Sequence, residues 1–131
     1  AFSWRQAVPA TKQGFKANTI STDLHTQSMN GGMKDLSNVA SKFLAMGYTL
    51  PEVISRVTWV PANVIHRPDL GHLSVGAGAD VAVFDLRKGN FGFIDVRNNK
   101  VKGSEKLEAQ LTMRAGKVVW DLNGLAADDF K

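Results

Sequence analysis

The chain has 131 residues, 44% hydrophobic and 21% charged, which suits one small globular domain and argues against a disordered, fibrous or membrane-spanning chain. It has no cysteine, so there is neither a disulfide framework nor a thiolate metal site; this fits a reducing compartment, a cytoplasmic location is expected, and any metal must rest on His, Asp or Glu. The net charge of +4 comes from residues 1–67, with seven basic and three acidic side chains against nine of each in 68–131, and no basic cluster interleaves with aromatics, so no nucleic-acid partner and no membrane partner is expected.

The first dozen residues predict a short helix with Phe2, Trp4, Ala7 and Val8 as its apolar content, ending near Gly14. Residues 16–23 follow, where Thr19, Ile20 and Thr22 favour an extended strand because β-branched side chains suit a pleated surface. Asp23 stands at the C-terminal end of that strand. The segment from His25 to Met33 is polar and contains Asn30, Gly31 and Gly32, so it predicts a mobile loop.

Two periodic helices come next. Leu36, Val39, Ala40, Phe43 and Leu44 share one stripe, and Gly47 supplies the stop. Thr49-Leu50-Pro51-Glu52 has the spacing of a capping box with a proline in the first turn, and Leu50, Val53, Ile54 and Val57 form the stripe behind it. A short helical piece over 61–65 stops before Pro68.

Beyond Asp69 the period becomes extended. The run 80–86 predicts a strand covered on both faces, Phe91 to Val96 predicts a second, and Asn98-Asn99 predicts a turn. Residues 107–115, Gly116-Lys117 and 118–120 predict a hairpin, followed by a frayed tail. Phe43, Val57, Phe84 and Trp120 are expected in the core.

Residues 19–25, 41–47, 60–63 and 70–85 together resemble the C-terminal part of a metal-dependent amidohydrolase, closest to the dihydroorotase-like branch that also carries adenine deaminase and deacetylase labels. The most specific motif is Gly71-His72-Leu73-Ser74-Val75-Gly76-Ala77-Gly78-Ala79-Asp80, and the resemblance runs from Phe2 to Gly124. It implies an α/β plus β fold. Residues 1–67 are expected to be the last strand of a (β/α)₈ TIM barrel with its following helices, and residues 68–131 the C-terminal part of a small β-sandwich. A full barrel needs about 250 residues, so the fold is expected to be incomplete as a single chain.

The resemblance makes Asp23 the expected catalytic residue and metal ligand, taking a proton from a metal-activated water during hydrolysis of an amide, cyclic amide or ester. Read from its residue type alone, Asp23 caps a loop or turn. His25 is a candidate substrate contact, and Asn30, Gly31 and Gly32 offer backbone donors ahead of a helix that suit an anionic substrate group. Ser21, Asp23 and His25 hold the letters of a hydrolytic triad, but three alternate residues on one strand cannot converge. His66 and His72 read as surface or packed residues.

The implied cofactor is a divalent metal, with zinc expected, as one or two ions. The family's other ligands, a His-x-His pair, two further histidines and a lysine that is often carboxylated, belong to segments not present in these 131 residues. This chain alone is therefore expected to be inactive. Its expected partners are a small-molecule substrate and either a missing N-terminal barrel polypeptide or another copy covering its apolar faces. The competing reading is a small autonomous α+β interaction domain of the same ancestry without catalysis.

Overall fold

A computed structural model describes residues 2–131, leaving Ala1 outside the described residues. Among the described residues five helices precede three strands: α1 (Trp4–Lys12), α2 (Thr26–Met29), α3 (Leu36–Ala45), α4 (Leu50–Val57), α5 (Trp59–Val64), then β1 (Val81–Ile94), β2 (Lys100–Arg114) and β3 (Lys117–Asp121).

The helix boundaries follow local chemistry. Asp35 caps α3 through Oδ1, which accepts from the Asn38 N–H at 2.7 Å. At the other end Gly47 adopts φ +91°, its N–H donates to Leu44 O at 2.9 Å, and the Tyr48 N–H donates to Phe43 O at 3.1 Å. This is the Schellman arrangement, which closes a helix where a side chain would be strained. The capping box of α4 is formed: Glu52 Oε2 accepts from the Thr49 N–H at 2.8 Å and Thr49 Oγ1 from the Glu52 N–H at 3.4 Å. Glu52 also pairs with Lys16.

The sheet is antiparallel in the order β1-β2-β3. Its register runs from Val81 opposite Met113 to Ile94 opposite Lys100, with irregularities after Val83 and Lys88. The two short strands expected over 80–96 are one continuous strand, and β2 begins seven residues before Leu107, at Lys100. The charged stretch 100–106 and Gly103 hide this from a hydrophobic pattern, but the facing strand supplies the ladder. The predicted turn at Asn98 is present with φ +59°, as is the hairpin at Ala115-Gly116, with φ +48° and +77°.

Two expectations for the first half are also corrected. Residues 16–23 form no strand among the described residues; instead the Ile20 N–H donates to Arg56 O at 2.9 Å and the Ala17 N–H to Tyr48 Oη at 3.1 Å. A parallel barrel strand is held by neighbours on either side, and no described element lies beside this segment as a strand. The expected loop from His25 to Met33 contains the one-turn helix α2, closed by local side-chain caps.

The core lies where α3 meets β2. Ile20, Met33, Val39, Ala40, Tyr48, Val53 and Leu107 are buried together, and Phe43, Val57 and Phe84 pack against them half-buried. Each fully buried aliphatic side chain contributes about 1.5–3 kcal/mol of transfer free energy. Trp120 is not part of this core: β3 is an edge strand, and the indole remains 44% exposed. Ser41, wholly buried in α3, donates to Ser37 O at 2.6 Å and accepts from the Leu107 N–H at 2.9 Å, stitching helix to strand.

Candidate functional site

Asp23 is exposed and stands at φ +49°, in the left-handed region that Asp tolerates better than bulkier residues. Its carbonyl accepts from Ser28 Oγ at 2.9 Å. The same hydroxyl accepts from the His25 N–H at 2.9 Å, so one serine ties Asp23 and His25 into a single turn. Asn98 and Ala115 adopt the same region in the turns of the sheet, so the conformation marks a tight turn that Ser28 fixes here.

His25 caps α2. Its Nδ1 accepts from the Gln27 N–H at 3.3 Å, which places the proton of the neutral ring on Nε2. The exposed side of the ring is then a hydrogen-bond donor, an arrangement suited to a carbonyl or other acceptor and poorly suited to metal ligation through Nε2.

The three residues after α2 differ from one another. Asn30 is exposed, Gly31 is half-buried with its N–H donated to Ser28 O at 3.1 Å, and Gly32 is buried. A Cβ at Gly32 would stand 2.6 Å from Ile94 O and 2.7 Å from the Asp95 carbonyl carbon, so only glycine fits against the end of β1. The Gly32 carbonyl accepts from Asn38 Nδ2 at 3.0 Å and from Lys42 Nζ.

Two buried charges beside this loop escape a reading based on motifs. Lys42 has no exposed surface and lies over the Phe2 ring at 5.1 Å. Burial is the main cause that lowers its pKa to about 8; the Asp95 charge opposes the shift and Lys34 adds to it. Asp95 is equally buried. Burial pushes its carboxyl up, but N–H bonds from Trp4 at 3.0 Å and from Asn99 and Arg97 at 2.9 Å outweigh that and hold it below the usual range. The signals that could have exposed these groups are weak ones: a lysine in the middle of α3, flanking its apolar stripe, and an Asp at the start of a tight turn. His72 is packed, its ring edge-on to Trp59 with centroids 5.6 Å apart, whereas His66 is exposed.

A cleft of about 730 Å³ opens elsewhere, between the start of α3 and the sheet, lined by Lys34, Asp35, Phe84, Phe93, Leu107 and Trp120 among others. Asp23 and His25 do not line it. Among the described residues no group of three or more His, Asp or Glu side chains could hold a metal ion. No helix there is long and apolar enough to cross a membrane.

No family model matches the chain. A deacetylase of Enterococcus faecalis is 35% identical over 88 residues, which is 66% of this chain and 24% of that protein. An adenine deaminase crystal structure superposes with a TM-score of 0.85 and 30% identity over 92% of the chain, and a dihydroorotase with 0.81 and 31% over 90%. The chain is related to the amidohydrolase superfamily. It spans about a third of each of those two structures and about a quarter of the deacetylase. The similarity to amidohydrolases covers helices and sheet alike, since it extends over nine-tenths of the chain.

Proposed function

We propose that the chain is the C-terminal segment of a metal-dependent amidohydrolase acting on an amide, cyclic amide or ester, and that Asp23 is its contribution to the catalytic centre. The observation that carries this reading is the left-handed, exposed Asp23, pinned by Ser28 within a segment related to enzymes of that superfamily. In this reading residues 1–67 are the barrel-derived part and residues 68–131 the sandwich part.

The donor set fits a shared metal site and not a self-contained one. A catalytic zinc takes about three protein ligands and an open position, and this turn offers one carboxylate. A divalent metal, zinc by family analogy and one or two ions in number, would supply Lewis acidity that brings a water's pKa toward ~7. Asp23 would ligate through its carboxylate, accept the water's proton at an oxygen and return it to the leaving group. His25 would donate from Nε2 to the substrate carbonyl, and Asn30, at the exposed end of α2, would contact the substrate. Gly31 and Gly32 would set the course of the loop there.

Partial coverage of the relatives and the open apolar cleft both support a partner polypeptide, the remainder of the barrel or a second copy, over the sheet and α3. The chain alone is then inactive. Metal analysis and hydrolase assays on the purified chain test this: no tightly held metal and no turnover are expected, and stoichiometric zinc with turnover would overturn it. Adding the polypeptide that supplies the other ligands should give activity, which Asp23→Asn lowers by about 10²–10⁴-fold.

A further inference from the structure

We propose that Lys42 is a positioning residue, holding from α3 the loop that carries Asp23 and His25 by a hydrogen bond from its ammonium to the Gly32 carbonyl. What the held loop is for rests on the reading above; the holding itself does not.

A lysine is almost never fully buried without a compensating interaction, because desolvating the ammonium is costly. Lys42 occupies a place on α3 that an apolar side chain of the same length would fill without that cost, yet its Nζ is turned onto a backbone carbonyl in the loop after α2. Asn38, one turn earlier, donates to the same carbonyl at 3.0 Å and to Met33 O at 2.9 Å. The opposite side of Gly32 is pressed against the backbone of Ile94 and Asp95 so closely that no Cβ fits. The loop is thus gripped between two donors of α3 and the end of β1. Of the two donors Lys42 makes the stronger, charge-assisted bond.

The charged groups facing the ammonium are Asp95, from the β1–β2 turn, and Lys34, from the segment before α3; the Phe2 ring lies against it from the N-terminal side. The Asp95 charge favours the protonated form that makes the bond, while Lys34 opposes it.

Amide hydrogen exchange on the intact chain tests the proposal with Lys42→Met, which keeps the length of the stem and removes the donor. At neutral pH the Met29 and Gly31 amides should exchange about tenfold faster while the β1–β2 ladder stays within about twofold. Lys42→Arg should restore slow exchange in the loop. A pH series adds a readout that packing alone would not move. Lys42 loses its proton near pH 8 in the folded chain and near 10.5 in the unfolded chain. Between these values its contribution to global stability rises with pH, whereas the grip on the loop weakens; both trends should vanish in Lys42→Met.

Parallel loss of protection in loop and ladder, or an unchanged loop, overturns the proposal. If Lys42→Met does not fold, the pH series on the unaltered chain decides: loop protection that stays constant relative to the ladder between pH 8 and 10.5 overturns the proposal. Exchange reads the loop without metal or substrate. Failure of Asp23 to support hydrolysis therefore leaves this result standing, and an unmoved loop leaves the catalytic reading standing.

Discussion

The contact between α3 and β2 and the turn that carries Asp23 are held by opposite kinds of interaction. In the first, Val39, Ala40, Ser41 and Leu107 are buried, and the Ser41–Leu107 hydrogen bond spans 66 positions of sequence. In the second, Asp23 and His25 are exposed, and the bonds through Ser28 and Gln27 reach no further than five positions. Local bonds of that kind fix the shape of a turn and say nothing about where it sits. Its place comes from both ends: Ile20, buried in the core with its N–H on Arg56 O, before it, and Gly32, Asn38 and Lys42 after α2. The proposed chemistry and the stability thus fall on different residues, so each can be perturbed without the other.

The largest stability effect should come from the helix–sheet contact. Leu107→Ala removes a side chain 3% exposed and should cost about 2–5 kcal/mol in chemical denaturation, the usual range for a buried leucine. Asp95→Asn comes next, since it replaces an oxygen that accepts backbone N–H bonds with an amide that cannot, at about 1–3 kcal/mol per stranded donor. The wild-type contribution of Asp95 is present above its ordinary value of 3.8 and is lost as the pH falls through the lower value it has when folded. Asp95→Asn should accordingly flatten the acid limb of a stability–pH profile, and an unchanged limb would assign acid sensitivity elsewhere.

Smaller effects sharpen the contrast from the other side. Asp23→Asn should leave stability within about 0.5 kcal/mol, as for an exposed residue away from the core. A large loss would make the turn part of the scaffold and erase the distinction. Glu52 is held down to about 2 by the Lys16 hydrogen bond and then by the Thr49 N–H, so its support for α4 is complete above 4.5 and is lost as the pH falls toward 2. Glu52→Gln should narrow the difference in melting temperature between pH 6 and pH 3, with little change at the core.

The helices were legible because their signals are local: the Thr49–Glu52 spacing, the stripe of α3 and Gly47 lie within a few residues of what they specify. The sheet was legible only in part. Valine and leucine runs marked its apolar halves, whereas 100–106 is charged and becomes strand through pairing with 87–94, which a pattern along one chain does not register. Residues 16–23 show the reverse failure, with β-branched residues and no strand to pair with. For the candidate site, Asp23 was named through resemblance to a family and His25 through its place two residues on. Ser28, Lys42 and Asp95 were not, because their roles depend on contacts with backbone groups that carry no sequence signature.

Trp4 donates from its N–H to Asp95 and from Nε1 to Phe93 O at 2.9 Å, across 91 and 89 positions of the chain. On a ribosome adding roughly 5–20 residues per second, the acceptors are made about 5–20 s after the donors. Throughout that interval α1 can rest only on α3 and the turn after it, through the Phe2 and Phe43 rings and the Thr11–Met46 contact. The two Trp4 bonds therefore close long after the segment that donates them is made, and the delay leaves the indole open to chaperones or to other nascent chains.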